Sequence, residues 1–399
     1  MVACFTGLLH DDWLNRRMDG PMTISEPAFT LGVEEEYLLV DRETGDLASD
    51  PPESLIDECA SELGEQVTNE FLQAQVEIGT KVCADIGEVR QELRRLRSGV
   101  ARACGNHGLA PVAASTHPFG DWRQQDYVHK ERYEGLAHDM QAVAHRLLIC
   151  GMHVHVGIED EELRIDLMNQ VRYFLPHLLC LTTSSPYWQG RDTGLSSYRL
   201  TVFDSLPRTG LPEPLASWSE YERLVEHMTS SGLLEDGSKI WWDLRPSSRF
   251  PTLEMRICDV CPDMEDALTV AAMFQCILRM LYRLRVGNQR WREYPNMLIQ
   301  ENRWLAQRYG SQSRLVDFGK RALVPLADLT DELLELVQED AEALGCTAEV
   351  ERARKIVRQG TSAERQRAVF EASGGDANSD EALRAVVRSL AAETVSGLA

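Results

Sequence analysis

The chain has 399 residues, 43% of them hydrophobic, and a formal net charge of −22 at pH 7. This length allows one large domain or two, with a sizeable buried core. The negative charge argues against nonspecific binding to nucleic acid or to an anionic membrane, because both repel an acidic surface. No apolar run approaches the roughly 20 residues of a membrane span, and the first residues lack a signal-peptide pattern. We therefore expect a cytoplasmic protein whose ten cysteines stay reduced.

The segment Leu31–Val40, Leu-Gly-Val-Glu-Glu-Glu-Tyr-Leu-Leu-Val, predicts a β-strand. Side chains alternate along a strand, so Glu34 and Glu36 share one face and Glu35 lies on the other. Neighbouring carboxylates repel each other, and a protein tolerates them when a cation lies between them or one is protonated. For this segment alone, a solvated strand face is the simpler interpretation.

Two later predicted strands also carry polar side chains on a single face. His153 and His155 share a face of the first, and Glu254 and Arg256 share a face of the second, with apolar residues between them. An arginine two residues from a ligand glutamate suits an anion, such as a phosphate, held against a metal.

The segment Glu70–Ile78 predicts a fourth strand of the same kind. Gln73, Gln75 and Glu77 form its polar face, and apolar residues form the other. Glu70 falls on the apolar side of this alternation. It joins the polar group only if the strand bends or begins after it.

Four strands that are apolar on one side and charged on the other predict an α+β fold. Its antiparallel sheet would have helices packed on one face and a chemically loaded second face. Carboxylates together with an imidazole suit Mg²⁺ or Mn²⁺. A tetrahedral zinc site is disfavoured because the chain lacks a His-Glu-x-x-His motif.

Three segments with helical spacing each follow a charged strand. They are Glu88–Cys104, Glu161–Leu181 and Met264–Val286, with Pro176 expected to kink or end the second helix. Asp192–Pro214 is rich in Gly, Pro and Ser and predicts a long loop. Beyond Gly310 the pattern is helical to the end, with candidates at Asp328–Leu344, Ala348–Val357, Ala363–Ala372 and Asp380–Ser396.

The predicted organisation has three parts. Residues 1–27 form an N-terminal tail without a clear pattern, for which disorder is one interpretation. Residues 28–310 form the catalytic domain, and residues 311–399 form a C-terminal helical part packed on the same domain.

The charged strands carry a family resemblance. The motifs are Gly32-Val-Glu-Glu-Glu-Tyr37, Gln75-Val-Glu-Ile78, Gly151-Met-His-Val-His155 and Glu254-Met-Arg-Ile-Cys-Asp259. In this order they resemble the type 2 glutamate–cysteine ligase family, the carboxylate–amine ligases of the glutamine synthetase superfamily. Further matches are Thr116-His-Pro-Phe-Gly-Asp-Trp-Arg123, Arg132-Tyr133, Ser197-Tyr-Arg199, Trp241-Trp-Asp-Leu-Arg-Pro246 and Glu301-Asn-Arg-Trp304. The resemblance implies a glutamine synthetase-like catalytic fold, with the metal and ATP site on the second face of the sheet.

The resemblance also implies metal ligands. Glu34, Glu36 and Glu77 would surround one group of metal sites, with Glu70 as a weaker candidate. The metal that bridges the nucleotide phosphates would be held by His153 and Glu254. The role implied for His155 is less direct, namely orienting a ligand or the substrate.

The implied catalytic residues are arginines. Arg256 would neutralise the transferring phosphoryl group and contact the nucleotide. Arg199 and Arg245 would bind phosphate or a substrate carboxylate, with Arg123 and Arg132 as weaker candidates. For adenine stacking the candidates are Trp304, Trp241 and Trp242, although an aromatic side chain at such spacing more often belongs to the core.

The activity implied by the resemblance is ATP-dependent amide formation through an acyl phosphate, with Mg²⁺ or Mn²⁺. L-glutamate would be the acyl donor and L-cysteine the acceptor, giving γ-glutamylcysteine, ADP and phosphate, although this coupling is a weak side activity in some carboxylate–amine ligases.

Three alternatives stay open: a guanidino kinase-like phosphotransferase of the related fold, a non-catalytic binding protein derived from a ligase, and a metal-dependent hydrolase. A homodimer is the default assembly.

Overall fold

The computed structural model describes residues 25–52, 54–128, 134–135, 138, 140–375 and 379–398. Of the tail predicted for residues 1–27, residues 1–24 therefore lie outside the described residues. The candidate Arg132 and its neighbour Tyr133 lie outside them as well.

Most of the strands are short, and β1 is the longest of those described. In chain order they are β1 Leu31–Asp41, β2 Val67–Asn69, β3 Gln75–Gly79, β4 Leu109–Val112, β5 Met152–Gly157, β6 Tyr187–Trp188, β7 Arg191–Asp192, β8 Thr209–Gly210, β9 Trp241–Trp242, β10 Leu244–Pro246, β11 Thr252–Met255, β12 Arg314–Asp317 and β13 Ala322–Pro325.

A seven-stranded sheet forms the centre of the fold. Its order is β10-β11-β5-β1-β3-β2, with β4 paired to the later part of β1, and its pairs are antiparallel. The four strands predicted from the sequence are thus neighbours in one antiparallel sheet, which confirms that part of the prediction. The register sets Glu34 opposite His153 and Glu36 opposite Glu77, so the polar side chains gather on one face.

Helices account for most of the remaining regular structure. In chain order they are α1 Ser54–Leu63, α2 Ile86–Asn106, α3 Ala142–His145, α4 Glu161–Val171, α5 Leu175–Leu179, α6 Arg199–Phe203, α7 Trp218–Ser230, α8 Met264–Val286, α9 Asn296–Tyr309, α10 Leu326–Ala343, α11 Thr347–Glu351, α12 Ala353–Gln359, α13 Ser362–Ala372 and α14 Asp380–Thr394.

Helices α2, α4 and α8 pack against strands of the main sheet. Each begins with an aspartate whose side chain accepts a backbone N–H of the first turn: Asp85, Asp160 and Asp263. Such caps satisfy donors that the helix itself cannot. The three helices follow β3, β5 and β11, as the sequence predicted.

Helix α8 is long and apolar enough to cross a membrane by length and composition. This corrects the expectation that no apolar run of the chain approaches the length of a membrane span. However, 83% of its most apolar window is buried inside the fold. It packs against β1 and β5, and this burial is typical of a core helix.

Two predicted segments differ in detail. The helix expected over Glu161–Leu181 ends at Val171, and α5 starts again at Leu175 with Pro176 in its first turn, the position that tolerates proline. The long loop predicted for Asp192–Pro214 contains the short helix α6 and the strand β8.

The prediction that the chain is helical from Gly310 to its end is wrong at β12 and β13, which form a hairpin. The side chain of Asp317 accepts the backbone N–H groups of Gly319 and Lys320 and so fixes the turn. Aspartate followed closely by glycine was the sequence signal for this turn. The later helices agree with the predicted ones to within a few residues.

The C-terminal helices contact the earlier part of the chain. Arg352 forms ion pairs with Asp263 and Asp266 at 2.6 and 2.8 Å, and α14 packs against β4. The division of the chain at residue 310 remains a prediction.

Candidate active site

Glu34 lies at the centre of the polar face of the sheet. Its Oε2 atom is 3.0 Å from Nδ1 of His153, and its Oε1 atom is 3.5 Å from Nε2 of His155. Burial tends to raise the pKa of Glu34, but the hydrogen bond with His153 and the close approach of His155 outweigh it and hold the pKa well below its usual value. Glu34 is therefore a carboxylate at neutral pH.

Glu36 and Glu77 are carboxyl groups in the opposite situation. The backbone N–H of Gly151 donates to Oε2 of Glu36 at 2.6 Å. Burial and the negative charge of Glu70 nevertheless raise the pKa of Glu36 to about 8. Burial and the charges of Glu70, Glu34 and Glu36 raise the pKa of Glu77 well above its usual value. A divalent cation beside these oxygens would favour their ionised form and so oppose both shifts.

Glu70 belongs to this cluster. Strand β3 begins only at Gln75, so the condition under which Glu70 joins the polar group is met. Its charge acts on both Glu36 and Glu77. Gln75 also lies on the polar face, whereas Gln73 precedes the strand and is not part of it.

The structure gathers Glu34, His155 and Glu254 as a candidate metal centre. Each offers one ligand atom, and these atoms lie within 4.8 Å of one another. The resemblance implied His153 and Glu254 as a ligand pair, which stays a prediction, whereas the direct cross-strand neighbour of Glu254 is His155. The buried Nε2 atom of His155 has no hydrogen-bond partner, as expected for a nitrogen positioned to bind a metal.

Two arginines flank Glu254. Nε of Arg245 lies 2.9 Å from Oε2 of Glu254, and Nη1 of Arg256 donates to Oε1. Burial opposes ionisation of Glu254, but the charges of Arg256 and Arg245 prevail and keep its pKa far below the usual value. Arg256 also has a buried Nε atom without a hydrogen-bond partner.

Two cavities are lined by different members of the carboxylate cluster. The first, here named the arginine cleft, encloses about 830 Å³ including solvent at its mouth, and its polar lining consists of Glu36, Glu70, Gln75, His153, Arg199, Lys239 and Arg256. The second, here named the β1 groove, encloses about 1230 Å³ on the same basis. Its lining includes Glu34, Glu77, His155, Arg249, Val82 and Phe250.

Arg199 belongs to the arginine cleft. It is buried, and its Nη1 atom donates to the carbonyls of Arg256 and Ile257 at 3.2 and 3.3 Å. Its Nη2 atom lies so close to Gly151 that a Cβ there would be 2.3 Å away. A side chain at position 151 would therefore displace this guanidinium from its present position.

Some predicted site residues lie elsewhere. Trp304 is 48% exposed on α9 and lines neither cavity. Arg245 lines neither cavity, because its guanidinium is occupied by Glu254 and by two backbone carbonyls. Arg123 is paired with Asp121 on the surface at 2.8 Å.

The sequence analysis missed several lining residues, among them Lys239 and Phe250. Lys239 lies in a short 3-10 turn, Gly237–Lys239, and Phe250 lies in a bend before β11. Neither region has a periodic pattern, so only the tertiary structure shows that they border the site.

Comparison with known proteins identifies the family of the chain. The sequence model of glutamate-cysteine ligase family 2 matches residues 30–389. A provisionally named glutamate–cysteine ligase 2 of Rhodospirillum rubrum is 60% identical over 378 residues, covering 94% of this chain and 97% of the relative. A relative with the same name from a Jannaschia species is 56% identical over 369 residues, covering 92% and 97%.

Solved structures support the fold. The crystal structure of glutamate–cysteine ligase from Francisella tularensis in complex with AMP has a TM-score of 0.67 and 15% identity, covering 93% of this chain and 90% of that one. A bifunctional glutathione synthetase from Pasteurella multocida has the same TM-score and 14% identity, covering 92% of this chain and 52% of that one. Because the family model and the sequence relatives both span nearly the whole chain, the protein belongs to glutamate-cysteine ligase family 2 and is an ATP-dependent ligase that forms a carbon–nitrogen bond.

Proposed function

We propose that the protein phosphorylates a carboxylate of L-glutamate with ATP and couples the resulting acyl phosphate to L-cysteine. The products would be γ-glutamylcysteine, ADP and phosphate. The observation that carries the proposal is the position of the carboxylate cluster between two cavities of different character. Glu36, Glu70 and His153 border one cavity, and Glu34, Glu77 and His155 border the other.

The arginine cleft suits an amino acid. Arg199, Lys239 and Arg256 supply positive charge for carboxylates, and Glu70 offers a carboxylate for an ammonium group. These side chains lie within one cleft. An amino acid that carries charges of both signs would therefore find a partner for each of them.

The β1 groove suits a nucleotide. The exposed side chains of Val82 and Phe250 offer apolar surface for a purine base, and Phe250 is fixed edge-to-face against His155 with ring centroids 6.3 Å apart. A nucleotide in this groove would direct its phosphates toward Glu34 and Glu77, which belong to the carboxylate cluster.

The carboxylate cluster fits Mg²⁺ or Mn²⁺. Glu34, Glu36, Glu70 and Glu77 with His153, His155 and Glu254 would hold the ions, because hard divalent cations prefer carboxylate oxygens and accept imidazole. The unpartnered Nε2 atom of His155 and the raised pKa values of Glu36 and Glu77 support this fit. When bound, the ions supply positive charge that offsets the charges of the cluster and of the phosphates.

The residues of the chain position the reactants and stabilise charge. A carboxylate oxygen of glutamate attacks the γ-phosphorus of ATP and ADP leaves. The amine then attacks the acyl carbon and phosphate leaves. Arg256, which is oriented by Glu254, would neutralise the oxygens of the phosphoryl group as it transfers. Arg199 would hold a carboxylate at the floor of the cleft.

The alternatives predict different stoichiometries. A guanidino kinase would form a stable phosphagen without a second substrate, and a hydrolase would turn over without ATP. The family assignment favours the ligase over both. Among the described residues that line the cleft, none makes a contact that selects a thiol. Cysteine is therefore the finer part of the proposal, and other amines are the main competitors.

The test is phosphate release from ATP and Mg²⁺ with amino acids offered singly and in pairs. The proposal expects release that requires both glutamate and an amine, with cysteine among the active amines. Release with glutamate and every amine except cysteine would retain the ligase and refute the named acceptor. Release with no pair would refute the proposed reaction.

A further inference from the structure

Lys239 differs from the other cations of the arginine cleft in having little to bind. Arg256 is paired with Glu254, and Arg199 donates to two backbone carbonyls. Among the described residues, the nearest carboxylate to Nζ of Lys239 is that of Glu235, at 4.0 Å, on a side chain that is 84% exposed. An exposed pair at this distance contributes little.

The Lys239 side chain is nevertheless largely withdrawn from solvent. It is 19% exposed and lines the cleft together with Glu36 and Arg256. An ammonium group has three N–H donors, each of which can bind an oxygen of a ligand in the cleft. The cleft therefore holds a positive charge whose hydrogen-bonding capacity suits an anionic group of a ligand.

The backbone on both sides of Lys239 is fixed to the carboxylate cluster. Nη1 of Arg245 donates to the carbonyls of Ser238 and Ile240, each at 2.7 Å, while the same guanidinium binds Glu254. The carbonyl of Lys239 itself accepts a hydrogen bond from Nε of Arg208 at 2.9 Å. These contacts hold Lys239 at a set position relative to Glu254, as a binding residue requires.

We propose that Lys239 binds the carboxylate of the amino-acid substrate that is not phosphorylated, so that the arginine cleft selects a dicarboxylic amino acid. This inference rests on the proposed function. Arg245 is the positioning residue: it does not touch substrate but holds the turn that carries Lys239. A monocarboxylic substrate would leave the ammonium group without a partner, and such an unsatisfied group lowers affinity.

The test compares L-glutamate with 4-aminobutyrate, which lacks the α-carboxylate but keeps the reacting carboxylate. Lys239→Met should lower kcat/KM for glutamate by about 10- to 100-fold, mainly through KM, as expected for a lost hydrogen bond between charged groups. It should leave kcat/KM for 4-aminobutyrate nearly unchanged. Lys239→Arg, which keeps the charge, should restore part of the preference for glutamate.

Lys320→Met is the matched control, since Lys320 lies on the β12–β13 hairpin and lines neither cavity. Thermal unfolding of each variant checks that the fold is intact. Equal losses for both substrates, or a rise in the KM of ATP with that of glutamate unchanged, would overturn the proposal, the latter because the lysine would then serve nucleotide phosphates.

Calorimetric binding of glutamate, with Mg²⁺ and a non-hydrolysable ATP analogue, separates the two proposals. If the wild type binds glutamate but releases no phosphate with any amine, the proposed reaction fails. Weaker binding by Lys239→Met would still support the role of the lysine, and unchanged binding would overturn it. A wild type that does not bind glutamate overturns both.

Discussion

Arg97 binds Glu35 through both carboxylate oxygens inside the fold. Nε of Arg97 lies 2.9 Å from Oε2, Nη2 lies 2.7 Å from Oε1, and both side chains are almost fully buried. Tyr37 donates its hydroxyl to the same carboxylate at 2.5 Å, and Arg97 also donates to the carbonyls of Cys261 and Pro262. One carboxylate thus connects β1, α2 and the segment that leads into α8.

This pair predicts that Glu35→Gln is a stability mutation, although its neighbours on either side are site residues. The substitution leaves the guanidinium of Arg97 buried without its counter-charge, which costs about 3–5 kcal/mol. The expected result is a lower free energy of unfolding in urea, with activity surviving in the fraction that remains folded.

Glu62→Gln is the matched control for this prediction. Glu62 pairs with Arg102 at the surface, where both side chains are largely exposed, so its loss should cost no more than about 1 kcal/mol. Equal stability of Glu35→Gln and Glu62→Gln would show that the buried pair contributes no more than a surface one.

Glu36→Gln should lower activity and leave stability intact, the opposite of what Glu35→Gln should do. Removing this charge from the cluster takes away a ligand, and we expect kcat to fall by about 100-fold or more. Without divalent ions the folded protein should be as stable as the wild type or more stable, because the ionised form of Glu36 is disfavoured by burial and by Glu70. The glutamine oxygen can still accept from Gly151. A marked loss of stability would instead make Glu36 a structural residue.

The raised pKa of Glu36 predicts that the free energy of unfolding depends on pH. Its ordinary pKa of 4.5 is raised to about 8 in the folded protein, so the folded state binds the proton more tightly than the unfolded chain. The free energy of unfolding should then fall as the pH rises between these values, by at most roughly 1.4 kcal/mol per pH unit for one group.

His153 titrates in the opposite sense, since burial and the charge of Arg256 lower its pKa to about 4. Its contribution to stability therefore grows as the pH rises to the unfolded value near 6.5 and is constant above it. The free energies of unfolding of the wild type and of Glu36→Gln are therefore compared between pH 6.5 and 8, in the absence of divalent ions. There the wild type should lose stability relative to Glu36→Gln, and parallel curves would contradict the raised pKa.

The alternation of side chains along β1 accounts for what the sequence predicted correctly about the geometry. It placed Glu34 and Glu36 on one face, and the same rule applied to β3 and β5 supplied Glu77 and His153. A strand has a period of two whatever it packs against, so this step needs no tertiary information. It also placed Glu35 on the opposite face, but its partner Arg97 lies on α2 and could not be identified from alternation.

The residues that the sequence analysis misplaced or missed depend on tertiary contacts. Arg245 lies on a strand of the sheet, yet its donors are taken up by Glu254 and by backbone carbonyls. Lys239 lies in a 3-10 turn whose position follows from those same bonds. A motif can indicate that such residues belong to a site, but which of them faces a cavity is decided by the contacts of their neighbours.

Two aromatic residues provide the last prediction, which concerns the nucleotide. Phe250 is 54% exposed on the wall of the β1 groove, and Trp304 is 48% exposed on α9 away from both cavities. If the β1 groove holds the base of ATP, Phe250→Ala should raise the KM of ATP by about 3- to 10-fold through the loss of an aromatic contact. Trp304→Ala should leave it unchanged. The measurement is the KM of ATP for each variant at saturating amino acids, because those conditions isolate nucleotide binding. The reverse pattern would move the nucleotide out of the β1 groove and restore the role that the sequence implied for Trp304.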